Sequence, residues 1–416
     1  MLRKKMKVAV IGGGPAGLTA AIGCAQKFGK GCVLILEQQP KTGRKLLATG
    51  NGRCNISNAL VSPDRYHGDT GLIQSVLRHF SPDDMHRFMR SLGVLLRQEA
   101  DGRLYPHSNQ ASTILDALRS ACHRLGVEEL CDCPISSVRK EKGRFLISSP
   151  DLTVDAEYVI FATGSQASSQ LGANDSGYAL LRSLGLSHSP LFAALSPVCT
   201  KETFKSLKGV RAKGSVTLLA DGKPLRFTEG EIQFTDYGIS GICVFELSRA
   251  VNEFFLSGTV DGQPCRELKL SADVMSAYAF PELCDYLTGC RPLFSEKYAS
   301  ELLSGALHKR LSAVVAGQCG LSDKICSALS RQDLKKLAHS AKHLLFTPVR
   351  SDALKNAQVS AGGFGSEMID PDTLMARSIK HLYVCGELLD VDGDCGGFNL
   401  HFAVGSALLA ADSITG

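Results

Sequence analysis

The sequence predicts an α/β fold with a Rossmann-type dinucleotide-binding region, and three observations carry that prediction. An apolar run, Val8 to Ile11, leads straight into the glycine cluster Gly12-Gly13-Gly14-Pro15-Ala16-Gly17 and then into an amphipathic helix containing Leu18, Ala21 and Ile22. A second apolar run, "CVLILE", follows as the neighbouring strand and ends in Glu37. Near the other end, "HLYVCGELLDVDGDCGGFNLHFAVGSALLAA" repeats the order of strand, glycine-rich loop and helix, the helix starting at about Asn399.

Each part of the first unit has a physical reason. In Gly12-x-Gly14-x-x-Gly17 the first glycine permits the turn, the second lets a pyrophosphate approach the backbone, and the third lets the helix pack closely on the strand. The helix start, with Pro15 and Ala16 in its first turn, offers N–H groups and the positive end of its dipole to the phosphates. Glu37 stands twenty residues after Gly17, where a carboxylate binds ribose hydroxyls, with Gln38 beside it.

After Glu37 the chain does not enter a further helix–strand repeat. It gives "QQPKTGRKLLATGNGRCNISN", a polar loop that suits a flavin, so FAD is the dinucleotide expected. Gly43, Gly50 and Gly52 let backbone pass close to a flat ring, and Thr49, Asn51, Cys54 and Asn55 line it, the asparagines offering amides to its polar edge. Arg44, Lys45 and Arg53 balance negative charge. "DAEYVIFATGSQA" is a buried strand ending in Ala162-Thr163-Gly164, a turn that returns the chain past the cofactor. In the last segment Gly386 and Glu387 form a turn, and Asp390 is placed to reach ribityl hydroxyls or phosphate-bound water. Gly393, Gly396 and Gly397 run against the ring, and the helix start at Phe398, Asn399 and Leu400 aims free N–H groups at it.

Between these segments the pattern changes. From about Leu191 come short alternating runs broken by glycine, with Asp221-Gly222 marking a hairpin. From about Ser271 to His343, "KYASELLSGALHKRLSAVVAGQ" and "SRQDLKKLAHSAKHLL" carry apolar residues at helical spacing.

Composition sets bounds on function. The chain has 416 residues, 44% apolar and 21% charged, enough for two or three domains. Its net charge of +5 comes from 46 basic and 41 acidic residues, read as dispersed, with one basic cluster at Arg3, Lys4, Lys5 and Lys7 taken as a solvated start. Without tryptophan and with 6% aromatics, no nucleic-acid partner is expected. No apolar run approaches the roughly 20 residues that span a bilayer, so no membrane partner is expected either. Fifteen cysteines, an odd number with no signal peptide ahead of the first strand, read as reduced thiols of a cytoplasmic protein. Cys131-Asp132-Cys133 lacks a second ligand pair at metal spacing, and no metal is expected.

"GRKLLATGNGRCNISN", "GEIQFTDYGISG", "VSAGGF" and "VCGELLDVDGDCGGFNL" together resemble the BaiN/YhiN-like flavoprotein family, which contains a bile-acid delta-4,6-reductase and aminoacetone oxidases. The resemblance covers nearly the whole chain. It implies a non-covalent FAD domain made from residues 1–190 and 346–416, a β-rich substrate domain of 191–270 with about 335–345, and a helical cap of 271–334. Two departures stand out: Ser165 in "ATGS" where many relatives have glycine, and Asp236 in "FTDYGISG" where many have histidine.

Flavin disulfide reductases need paired cysteines at C-x₄-C or C-x₂-C spacing, and Cys54 is followed by Ala59 at the fifth position, which argues against a thiol relay. No second GxGxxG exists, so NAD(P)H is expected as a transient electron donor. The activity expected is NAD(P)H-driven reduction of a conjugated C=C in an enone or dienone, carried over from the resemblance. An oxygen-dependent oxidase of a small amine is the alternative, and a nucleic-acid-modifying flavoprotein a weaker one. Such a reduction needs a proton donor, and Tyr105, Asp236, Tyr237 and His401 are the reactive side chains in loop or helix-start contexts.

Overall fold

Strand β1 (Leu2–Ile11) is anchored by Val8–Ile11, four consecutive apolar residues buried on both faces, which a parallel central strand requires. The computed structural model describes residues 2–351 and 353–415. After β1 the chain enters α1 (Pro15–Phe28), then β2 (Val33–Leu36), whose four residues are all buried. Later come β3 (Glu128–Leu130), β4 (Ser137–Glu141), β5 (Arg144–Ser148) and β6 (Leu152–Phe161). The sheet runs β3-β2-β1-β6-β5-β4, and a late strand, β7 (Leu382–Val384), pairs with β6. The pairs β1 with β2, β1 with β6, β2 with β3 and β6 with β7 are parallel; β4, β5 and β6 form an antiparallel flank.

Helix α2 (Phe398–Ser413) lies against α1, closely enough that a Cβ on Gly23 would stand 2.8 Å from Ala411 Cβ. The basic residues at the N-terminus are not a free solvated start. Lys4 pairs with Glu128, Lys7 with Glu157 at 3.0 Å and Arg3 with Asp155 at 3.2 Å, tying β1 to β6 on one side and, across β2, to β3 on the other.

The described chain divides into two compact units, one running to Leu191 and resuming at Gln358, the other Phe192–Ala357. In the second, six antiparallel strands are ordered Val198–Cys199, Gly238–Ser240, Lys223–Phe234, Arg211–Ala220, Leu268–Asp273 and Leu344–Phe346. The Asp221-Gly222 hairpin is present, both residues having positive φ, +49° and +77°, as a type I′ turn requires. Helices Ile242–Ser257, Phe280–Leu293, Lys309–Gln318 and Arg331–Lys342 share one hydrophobic cluster with this sheet. Sheet and helices thus form one unit where the sequence reading had separate β-rich and helical domains. The boundary also moves: residues 346–357, expected in the first domain, fall in the second, where Leu344–Phe346 pairs with Leu268–Asp273 and Thr200 bridges to Pro348.

Candidate functional site

The glycine turn after β1 is constrained differently at each position. Gly12 has φ +105°, and a Cβ there would lie 2.5 Å from the Ala162 carbonyl oxygen. A Cβ on Gly17 would overlap the Gly12 carbonyl oxygen. These two glycines are demanded by the protein itself. Gly14 is not: no heavy atom lies within 4 Å of its would-be Cβ, and its φ of −75° suits any residue. The open space beside Gly14, at the N-terminus of α1, is the cradle a pyrophosphate would fill. Gly13, which stands at an "x" of the motif, is crowded where Gly14 is not, with Thr42 Cγ2 2.5 Å from its would-be Cβ. Its N–H donates to Glu37 Oε2 at 2.6 Å, while Glu37 Oε1 accepts from Gln39 N at 2.8 Å. A carboxylate has about four lone-pair sites, so two remain for a ribose diol.

The polar loop lies in the same unit. Asn51 and Cys54 both have left-handed backbone, at φ +55° and +58°, beside glycines 50 and 52 that adopt it readily. Thr49 Oγ1 donates back to the Leu46 carbonyl at 2.7 Å. Cys54 is fully buried, and burial pushes its thiol up to about 12, so it is a packing residue and not a thiolate. Asn55 Oδ1 is buried with no hydrogen-bond donor among the described residues. It lies beside Gly397, whose would-be Cβ would come 2.7 Å from that oxygen and overlap Ser57 O. An orphaned acceptor packed against glycine backbone fits a planar ligand with an N–H edge, as a flavin has.

Three distant segments meet at Lys45 and Glu387, whose Nζ and Oε2 lie 2.8 Å apart, with the would-be Cβ of Gly164 3.5 Å from the same carboxylate oxygen. Ala162 N donates to Ile11 O, and Gly386 N to Ser406 Oγ at 3.0 Å, locking the two turns to the sheet and to α2. A Cβ on Gly177 would overlap Thr163 Oγ1, so the helix following that turn packs directly on it. Arg44 donates to Gln39 Oε1 at 3.1 Å at the exposed end of the loop.

Other expected ligands are used by the protein. Gln38 has its amide bound to Gly172 O and Asn174 Nδ2. Asp390 Oδ2 accepts from Ser189 Oγ at 2.8 Å. Asn399 closes the glycine loop on itself, accepting from Gly393 N and donating to Gly393 O, both at 2.8 Å. Gly396 O takes Asn58 Nδ2 at 2.9 Å, Phe398 O takes the Tyr66 hydroxyl at 3.0 Å, and Leu400 packs on the core. These residues hold the glycine loop that packs on Asn55 and Ser57.

The proposed proton donors separate. His401 is fully buried, its Nδ1 2.8 Å from Ser57 Oγ and its Nε2 3.1 Å from the Phe80 carbonyl, and desolvation lowers it to about 4. With both ring nitrogens engaged in the core it is a structural residue, which corrects its assignment as a donor. Asp236 is exposed and bound by Lys208 at 2.6 Å, which holds its carboxyl below the usual range; at neutral pH it accepts and does not donate. Tyr237 beside it is 40% exposed, with a hydroxyl raised by partial burial and then by Cys199 and Asp236, so its proton is retained. Both belong to the second unit. Tyr105, in the first unit, is 2% exposed and packs against Gly50 of the polar loop. Among the described residues no group of three or more His, Cys, Asp or Glu is arranged to hold a metal, and no helix is long and apolar enough to cross a membrane.

Comparison with known proteins places this geometry. Over 97% of its length the chain is 34% identical to the 3-dehydro-bile acid delta(4,6)-reductase of Clostridium scindens, covering 98% of that protein. It is 28% identical to the ribosomal RNA dihydrouridine synthase of Haemophilus influenzae, over 98% of both chains, and 27% identical to that of Escherichia coli, over 97% of both. Among solved structures, 3-ketosteroid delta1-dehydrogenase from Sterolibacterium denitrificans shares the fold at 12% identity, with a TM-score of 0.52 covering 98% of this chain and 99% of that one. The E. coli quinol fumarate reductase subunit FrdA does so at 14% identity and TM-score 0.51, covering 99% of this chain and 70% of that one. The model of the HI0933-like protein Rossmann domain matches residues 6–413, and with a relative above 30% identity along the full length, the chain belongs to this family of FAD-dependent Rossmann oxidoreductases.

Proposed function

We propose that the protein binds FAD non-covalently and, with electrons from NAD(P)H, reduces a C=C bond conjugated to a carbonyl in an enone or dienone of steroid or bile-acid type. The observation that carries this reading is the full-length, 34% identity to a reductase whose name places its bond in a 3-dehydro, delta(4,6) bile acid. When bound, the flavin supplies a hydride to the polarised alkene. The chain's part is to hold and orient. Gly14 and the start of α1 take the pyrophosphate, Glu37 the ribose, Asn55 an N–H edge of the ring, and Lys45 with Glu387 closes the site where three segments meet. Tyr237 is protonated at neutral pH and accessible, which suits it to protonate the neighbouring carbon; Asp236, ionised beside Lys208, helps keep that hydroxyl protonated before the step. No cysteine of low pKa stands in the polar loop to run a thiol relay instead.

A second reading has its own support. Uracil C5=C6 is also conjugated to a carbonyl, so a dihydrouridine synthase reduces the same kind of bond in RNA, and two relatives carry that name. The segment Lys201–Lys213, "KETFKSLKGVRAK", holds five basic residues and one acid, all five basic side chains exposed, and Arg310 joins it through Ser206 O at 2.7 Å. This patch was missed when the charge was read as dispersed, and it sits on the unit that carries Tyr237.

Anaerobic reduction of the flavin with NADH or NADPH, followed by reoxidation with a 3-keto-4,6-diene steroid, uridine-containing RNA or oxygen, together with anaerobic mixing of the oxidised flavin with aminoacetone to see whether the amine reduces it, separates the readings. Fast reoxidation by the dienone and none by RNA supports the first. The reverse, or turnover only with amine and oxygen, rejects it.

A further inference from the structure

The hairpin of Leu96–Gln98 and Arg103–Pro106 brings Arg97 and Glu99, which no assignment above uses, against Arg53 and Tyr105. Glu99 Oε1 lies 3.2 Å from Arg53 Nη1 and 3.0 Å from Arg97 Nη2, so one oxygen bridges two guanidiniums. Both guanidiniums sit over the Tyr105 ring, at 4.3 Å for Arg53 and 5.7 Å for Arg97, and Arg53 Nη2 donates to the Tyr105 hydroxyl at 3.1 Å. The ring in turn rests on the polar loop, with Cε1 3.4 Å from the would-be Cβ of Gly50. That loop is strained: Asn51 and Cys54 hold left-handed backbone, a conformation costing roughly 1 kcal/mol or more for a non-glycine residue, so it persists only if its surroundings fix it. Within the loop the fastenings are Arg53 N to Gly50 O at 3.2 Å and Cys54 N to Thr49 O at 3.0 Å.

We propose that Glu99 is a positioning residue for the cofactor loop: by bridging Arg53 and Arg97 it keeps the Arg53 guanidinium flat on Tyr105 and thereby holds Thr49–Asn55 in its strained form. Without the carboxylate, two cations stand against one aromatic ring and repel, and Arg53, itself part of the loop, swings toward solvent. The loop then loses its side-chain anchor while every residue expected to touch the cofactor is still present. This rests on the FAD reading above. The test uses the full-length protein as Glu99→Gln, Glu99→Asp, Arg53→Gln and the Glu99→Gln/Arg53→Gln double variant. The FAD release rate is followed by flavin fluorescence, and the visible spectrum of the bound flavin is recorded. Glu99→Gln should release FAD about tenfold faster, the scale of one charge-assisted hydrogen bond, with altered fine structure of the visible band, and Glu99→Asp should recover part of both. The double variant should match Arg53→Gln alone, because the two residues act through one contact. A yellow wild type with Glu99→Gln unchanged in release and spectrum, or effects that simply add, overturns the proposal alone. A wild type that binds no flavin overturns the cofactor reading and this with it. Should Glu99→Gln fail to fold, the comparison of Glu99→Asp with Arg53→Gln decides: an Asp variant that releases FAD faster than wild type but more slowly than the Arg53 variant supports the bridge, and one identical to wild type refutes it.

Discussion

Replacing Gly14 with leucine separates the demands of the fold from those of the ligand. The first intrahelical bond of α1 runs from Leu18 N to Gly14 O, so the amides of the first turn precede it, and Gly13 N is already held by Glu37. A pyrophosphate at this helix start takes charge-assisted N–H bonds of about 1.5–3 kcal/mol each, with about 0.3–1 kcal/mol from the dipole. A leucine side chain in that space denies at least two such bonds. The expected loss is about 3–6 kcal/mol, roughly a hundred- to ten-thousandfold in Kd. The protein itself should barely notice, since nothing lies within 4 Å of the new Cβ and φ is −75°. Flavin-free wild type and Gly14→Leu should therefore melt within about 1 kcal/mol of each other, while the variant elutes colourless from gel filtration. Gly12→Ala is the contrast: its Cβ meets Ala162 O at 2.5 Å and its φ is +105°, so the fold itself fails. The ratio of flavin to protein absorbance, alongside thermal melts of the apo forms, reads both. A Gly14→Leu protein with full FAD occupancy refutes the placement, and one that unfolds refutes the claim that the space belongs to a ligand.

Glu37→Gln should weaken FAD retention about tenfold or more while leaving the visible spectrum unchanged, because one carboxylate oxygen is replaced by a donor facing a backbone N–H; a shifted spectrum at unchanged affinity would mean Glu37 has been misplaced. Cys54→Ser should keep most of the flavin reoxidation rate and Tyr237→Phe should lose about a hundredfold of it, the usual scale for a proton donor; the opposite ranking would revive a thiol mechanism. His401 is lowered to about 4, so its contribution to stability is complete above pH 6.5 and is lost as pH falls toward 4, at up to about 1.4 kcal/mol per pH unit. His401→Asn should flatten the melting temperature between those limits, and an unaltered slope would show that another group controls it.

What could be read from the residues and what could not divide along sequence distance. Gly12, Gly14, Gly17 and Glu37 were legible because one strand, one turn and one helix place them at fixed spacing. Gly13 was missed because the motif treats it as free, whereas Thr42 closes on it from outside the motif. Lys45 and Glu387 were each expected near the cofactor, but nothing in the chain announces that they pair across 342 positions. His401 misled for the same reason. A histidine at a helix start reads as available until Ser57 and Phe80 arrive from far upstream and bury it. Exposed charge reads differently in both directions: Lys4 and Lys7 are paired across the sheet, and the Lys201–Lys213 cluster is lost in a balanced total.

The close crossing of α1 and α2 bears on the order in which the protein matures. Strand β1 and α1 leave the ribosome early, but β7, which extends their sheet, and α2, which covers α1 at Gly23, follow only after the whole Phe192–Ala357 unit has been made. That intervening unit has a hydrophobic cluster of its own and can condense first. The nucleotide cradle meanwhile lacks Glu387, Gly397 and the helix behind them, so cofactor capture belongs to the end of synthesis. Flavin shortage would then fall on chains already translated, leaving the apolar face of α1 exposed to chaperones while the Phe192–Ala357 unit is folded.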